Sequence, residues 1–191
     1  MGTRRLAAVV ILALVFLGAA DSAASPPPQN QPGNPLATQD HLRLSLLLGE
    51  WEEEIGYADA SSAEDKNTGR WTARTALGLY LRIQYTDTSP GARYRAFGVI
   101  AYDSEESIYR MWWYDNQGGI GEYRGQFVDD NTLVLEHSER MAGRAFRERI
   151  RYTRVSPNEL RTTIEQAWGT GDFKPYLEAV ARRTNEGSPR R

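Results

Sequence analysis

The chain has 191 residues, a formal net charge of −2 and no cysteine. Near-balanced charge excludes a general phosphate-binding surface. The missing cysteine excludes a disulfide framework and a lipid-anchored bacterial leader, so stability must come from a buried core.

Met1 to Ala24 has a short basic start (Arg4, Arg5), an apolar run from Leu6 to Leu17 and then small residues, the layout of a secretory signal peptide. The run is too short to span a bilayer, which takes about 20 apolar residues. Cleavage fits after Ala24 or after Ala20, and Arg4-Arg5 lacks the flanking residues of a twin-arginine signal. Loss of residues 1–24 removes two arginines and one aspartate, which leaves 21 basic and 24 acidic residues and a net charge of −3. The expected product is exported to the periplasm or the medium, with no membrane span after cleavage. Residues 25–37 hold Pro-Pro-Pro and two further prolines without apolar periodicity, and read as a solvated linker.

Thr38 to Leu48 reads as one short helix, capped by Thr38 or Asp40, apolar through its leucines and stopped by Gly49. Such a helix is expected to cover one end of a sheet. From Trp51 on, the period is two. Trp51, Glu53, Ile55 and Tyr57 alternate with Glu52, Glu54 and Gly56, and a polar loop follows from Ala58 to Thr68. Further strands are predicted over 70–77, 79–86, 93–102, 107–115, 120–128, 132–139, 144–155, 159–168 and 173–184. Most of the breaks between them are rich in Gly, Pro, Asn, Asp or Ser. The clearest pair is Gly98–Asp115, two apolar halves split by Asp103-Ser104-Glu105-Glu106. Residues 185–191 form a polar tail expected to fray.

About ten short strands joined by tight turns, with no helix between them, require an antiparallel meander, because parallel pairs need long crossovers. So many strands strain in an open sheet, and closure removes the edges. The expected fold is all-β: an up-and-down antiparallel barrel with one short N-terminal helix, spanning residues 38–184.

Leu48-Gly49-Glu50-Trp51-Glu52, Leu77-Gly78-Leu79-Tyr80-Leu81 and Gly98-Val99-Ile100-Ala101-Tyr102-Asp103, followed by Tyr109 and Trp112, resemble the bacterial domain-of-unknown-function 1579 family. That family is similar to lipocalins and other calycin-type barrels, and the resemblance runs from Asp40 to Arg183. Leu79 stands where the family usually has a second glycine, and Val180-Ala181-Arg182-Arg183 replaces its usual aromatic-Thr-Arg ending. The resemblance implies a calycin-like barrel with Trp51 closing its floor. It supplies no catalytic residue.

Chemistry-bearing motifs are sparse. His41 and His137 lie far apart with no ligand spacing, so no metal and no cofactor is expected; the lack of a histidine after His137 also disfavours haem. No nucleophile triad, phosphate loop or dinucleotide fingerprint appears. Arg147, Arg149 and Arg151 read as a solvated face rather than a nucleic-acid stripe. Aromatics concentrate between Tyr102 and Phe127. Over 108–114, Ile108, Arg110, Trp112 and Tyr114 share one face, while Tyr109, Met111 and Trp113 share the other. One face lines the interior; the other is left for the helix or for a homodimer contact. Glu148 and Arg154 fall on the apolar face of their strand, and Thr162 and Gln166 on that of theirs. A charge inside a barrel needs a partner, here Arg110 or Arg124 for Glu148. The candidate ligand-lining residues are Tyr102, Arg110, Trp112, Tyr114, Arg124, Glu148, Tyr152 and Gln166. The expected function is binding of a small, partly apolar molecule inside the barrel. The alternatives are acid/base catalysis through Glu148, Tyr102 or Tyr152, or a structural role in assembly.

Overall fold

The computed structural model describes residues 34–59 and 67–184. The leader, residues 25–33 of the linker, residues 60–66 of the polar loop and the tail lie outside the described residues. The elements are α1 (Gln39–Arg43), a 3₁₀ turn (Leu44–Leu47), β1 (Gly49–Tyr57), β2 (Asn67–Ala76), β3 (Tyr80–Asp87), β4 (Arg95–Asp103) and β5 (Ile108–Asp115). They continue with β6 (Ile120–Phe127), β7 (Thr132–Met141), β8 (Arg144–Ser156), β9 (Glu159–Trp168) and β10 (Lys174–Arg183).

Period-two sequence places alternate side chains on opposite faces, so a meander of such strands buries one face only by curling. Here each strand pairs with its neighbour in sequence, and β1 also pairs with β10, closing the barrel. The closing ladder runs antiparallel from Trp51 opposite Arg183 to Tyr57 opposite Leu177. The Gly98–Asp115 pair is the β4–β5 hairpin, with Tyr102 opposite Tyr109 and the Asp103 carboxylate accepting the N–H groups of Glu105 and Glu106, each at 3.1 Å. Several strand ends differ from those expected by one to three residues. β2 begins at Asn67, which pairs with Ile55, and β7 continues to Met141, because Ala142 and Gly143 both take positive φ (48° and 79°) in a two-residue turn.

The helix is shorter than expected. Five α-helical residues give way to the 3₁₀ turn, and Gly49 turns the chain into β1 at φ +132°. Three-residue winding sets Leu44 and Leu47 on one side, and Leu44, Leu46 and Leu47 are all buried while Leu42 is exposed. Thr38 starts the helix by donating its N–H to His41 Nδ1 at 3.1 Å, and the His41 ring meets Tyr102 edge-on.

This segment covers one end of the barrel and is latched to it. Trp51, fully buried, donates Nε1–H to Leu47 O at 3.0 Å and stacks on Trp71. Arg183 lies over the Trp51 ring and donates to Leu48 O at 2.7 Å. Tyr109 donates its hydroxyl to Asp40 O at 2.9 Å; burial, with the charge of Asp40, pushes that hydroxyl up to about 12. Arg43 covers Phe127 and donates to Asp129 O. Asn34, the first described residue, donates to Leu77 O at 2.9 Å.

Outside, ion pairs cross from strand to strand. Arg70 meets Glu52, Arg149 lies between Glu136 (2.7 Å) and Glu165 (3.6 Å), and Arg161 meets Glu178 at 3.2 Å. Among the described residues no helix is long and apolar enough to cross a membrane.

Trp51→Ala removes the floor ring and the donor to Leu47, and is expected to cost about 3–5 kcal/mol in urea unfolding. Gly125→Ala should prevent folding at 25 °C, read by circular dichroism, because its Cβ would stand 1.8 Å from the backbone oxygen of Val134.

Candidate functional site

The register divides the interior into two halves. Near the helix it is dense and apolar: Leu47, Trp51, Leu81, Ile100, Met111, Leu133 and Leu160 are all fully or almost fully buried. Toward the other end the inward positions turn polar and aromatic, with Glu53, Tyr85, Trp113, Tyr123, His137, Glu148, Tyr152 and Gln166. Of these only Tyr123 is buried outright; the others keep accessible surface although they point inward.

Glu148 is the best-connected polar group. Its Oε1 accepts the Tyr123 hydroxyl at 2.7 Å, and its Oε2 accepts Gln166 Nε2 at 2.8 Å. Burial, then the charge of Glu148, raise the Tyr123 hydroxyl far above the usual phenol range. Glu53 is the second inward carboxylate. It accepts Trp71 Nε1–H at 3.0 Å and lies beside the Tyr85 hydroxyl, yet burial outweighs these and raises its carboxyl above the ordinary value. Tyr85 is raised in turn, first by burial and then by the Glu53 charge. Tyr152 is raised by burial, with contributions from Glu53 and Glu148, so its hydroxyl lies within electrostatic reach of both. That hydroxyl has no hydrogen-bond partner among the described residues. Among the described residues no fully buried polar side-chain atom lacks a partner, so the Tyr152 hydroxyl borders accessible space. An inward-pointing hydroxyl that keeps accessible surface borders a hollow on the inner side of the wall.

Aromatic edges complete the lining. Trp113 donates Nε1–H to the Tyr94 hydroxyl at 3.1 Å and sits beside Tyr85. The Trp113 ring lies over Gly98, where a Cβ would come within 2.6 Å of it. His137, opposite Glu148 in the ladder, instead directs Nδ1 to Glu122 O at 2.8 Å, and Tyr123 lies beside its ring. At this same end β10 carries a bulge between Pro175 and Leu177. A groove of about 450 Å³ runs beside it, lined by Tyr57, Ile164 and Leu177 and by outward residues such as Arg151 and Glu165.

The structure brings three of the sequence-predicted residues, Glu148, Tyr152 and Gln166, to this hollow. Tyr102 also points inward, but at the helix-covered end, against His41 and Tyr109. Arg110, Trp112, Tyr114 and Arg124 lie on the outer face. The expected pairing of Glu148 with Arg110 or Arg124 is corrected accordingly. Arg110 reaches Asp103 and Glu106 at 2.9 Å and Glu122 at 3.2 Å, while Arg124 shares Glu122. The Asp103 carboxyl is held below its usual range by the Glu106 N–H and by Arg110. The physical reason is parity: Tyr109, Met111 and Trp113 take the inside of β5, so their neighbours face out. Glu53, Tyr85, Trp113 and Tyr123 were not among the expected lining residues. A usable signal lay in the glycines: Trp113 pairs with Gly98 and Gly121, and Tyr109 with Gly125, so large inward rings sit across from residues without a Cβ.

Among the described residues no group of three or more His, Asp or Glu side chains could hold a metal ion. Residues 37–183 match the family described as "Protein of unknown function (DUF1579)", and the chain belongs to that family. No curated protein matches it in sequence. Among solved structures it is similar to Rv2717c from M. tuberculosis, with 15% identity, a TM-score of 0.51 and coverage of 78% of this chain and 99% of that one. A structure of the S-type phycobiliprotein lyase CPES from Guillardia theta aligns at 13% identity and a TM-score of 0.46, over 78% of this chain and 99% of the lyase. A redesigned β-barrel aligns at 13% identity and 0.43, over 78% and 100%.

Glu53 gives a pH signature. Its carboxyl is raised in the folded state, so the folded state holds that proton more tightly than the unfolded chain. The Glu53 contribution is therefore most favourable in acid. It declines as pH rises from the unfolded value to the raised folded value, and is flat beyond. Urea midpoints measured from pH 4 to 8 should fall less steeply over that window in Glu53→Gln than in the parent; identical slopes would remove Glu53 as the source.

Proposed function

We propose that this protein is an exported, lipocalin-like barrel that binds a small, partly apolar molecule in the half of its interior away from the helix. The observation that carries this reading is the set of inward side chains there that combine polar tips with accessible surface, with the inward Tyr152 hydroxyl among them. A barrel built only for stability would fill this half as it fills the other, with tightly packed apolar groups. Aromatic walls carrying a few convergent polar groups are the usual make-up of a ligand pocket. The ion pairs around the outer wall leave the interior as the better place for an apolar guest. Export is supported by the basic start and apolar run of residues 1–24.

Native mass spectrometry of protein purified from its own host should show a species heavier than the free chain. Ile164→Trp, which adds volume at an inward position, should abolish the adduct, whereas Trp112→Ala on the outer face should retain it. A bare chain in the parent, or an adduct indifferent to Ile164→Trp, would refute interior binding.

A further inference from the structure

The charges around the hollow are one-sided. Glu53 and Glu148 point in, and each is held by neutral donors only: Trp71 for the first, with the Tyr85 hydroxyl beside it, and Tyr123 and Gln166 for the second. Neither has a basic partner among the described residues. The arginines of the surrounding strands turn outward. Arg147 bonds Gly171 O, Arg149 bonds Glu136, and Arg151 reaches Glu165. His137 is committed to Glu122 O and to Glu139 at 3.5 Å. Lys174, across the ladder from Gln166, is exposed at the rim. Elsewhere on this barrel, carboxylates such as Glu52, Glu122 and Glu136 meet an arginine.

An inward carboxylate without a counter-charge is costly, and the cost is relieved when a cation arrives. Tyrosine and tryptophan rings beside it attract a cation through their faces. A carboxylate or phosphate head group in the same place would meet two like charges and no positive one. The unpartnered Tyr152 hydroxyl, within reach of both carboxylates, can accept one N–H of an incoming ammonium.

We propose that the hollow takes an organic cation, an amine on an apolar body, with its charged group held by Glu53, Glu148 and the Tyr152 hydroxyl. This rests on the interior-binding reading above. The test is a matched series of octylamine, octanol and octanoate, titrated into the full-length protein at pH 7 with tryptophan fluorescence and calorimetry. Octylamine should bind at least about tenfold more tightly than octanol, with octanoate weakest, a modest ratio for a close charge pair. Glu148→Gln and Glu53→Gln should each shrink the advantage of the amine over the alcohol, and the outer-face control Arg110→Gln should not. If a Gln variant fails to fold, judged by circular dichroism, the ranking in the parent still decides. Octanol or octanoate binding as tightly as octylamine would overturn the charge preference and leave interior binding standing. No binding of any of the three would overturn both.

Discussion

The ladder between β1 and β10 joins the two ends of a meander more than a hundred residues apart in the chain, and everything else depends on its register. Trp51 opposite Arg183 sets that register at the floor, where the indole bonds Leu47 O and the guanidinium both covers the indole and bonds Leu48 O. A slip of one residue here would turn every β1 side chain to the other face, exposing Trp51 and Ile55 and burying Glu52 and Glu54. The latch therefore does more than hold a helix over one end. It decides that Glu53 is inside, and with it the character of the hollow.

The interior is asymmetric along its axis, and the asymmetry has a simple origin. The short helix brings three leucines to one end only, and inward leucines, Ile100 and Met111 fill the space beneath them. At the other end the inward residues are long and polar-tipped, and their tips bond one another instead of interlocking. Tyr123 and Gln166 converge on Glu148, Trp71 bonds Glu53 and Trp113 bonds Tyr94. Hydrogen-bonded rings hold their positions without close packing, which is how a wall can stay rigid around open space.

Much of this architecture was legible in the sequence, because turn chemistry and period two are local properties. All ten strands fall where alternation and Gly/Asn/Asp breaks put them; several ends differ by one to three residues, lengthened where a partner strand extends the ladder, as at Asn67 and Met141, and shortened elsewhere, as at Arg95. The helix was legible in place but not in length, since the 3₁₀ winding after Arg43 is imposed by burying Leu44, Leu46 and Leu47 together. The site was only partly legible. Alternation within β8 and β9 marks Glu148, Tyr152 and Gln166 as inward because the opposite positions carry arginines, glutamate and threonine. In β5 both faces are aromatic, so parity cannot be read from that strand alone. It is settled across the ladder, where Gly98 and Gly121 leave room for Trp113. The partner of Glu148 was equally non-local: a charge calls for a counter-charge, but a neutral phenol on β6 and a neutral amide on β9 supply hydrogen bonds instead.

That substitution of neutral donors for an arginine separates the two surfaces of the wall. Outside, the chain has cations in plenty and uses them: Arg110 alone meets three carboxylates, and Arg149 joins strands on both its sides. The period-two rule would let a single arginine moved to an inward position neutralise Glu148. Structural stability alone would favour such a pair, or an apolar residue in place of Glu148, over a carboxylate held by a phenol and an amide. Among the described residues Glu53 and Glu148 have no basic partner and the hydroxyl beside them has none at all, which makes sense when the missing partner comes from outside the chain. In a barrel whose family offers no residue roles to transfer, the contrast between neutralised outer and unneutralised inner carboxylates is the physical ground for placing function in the interior.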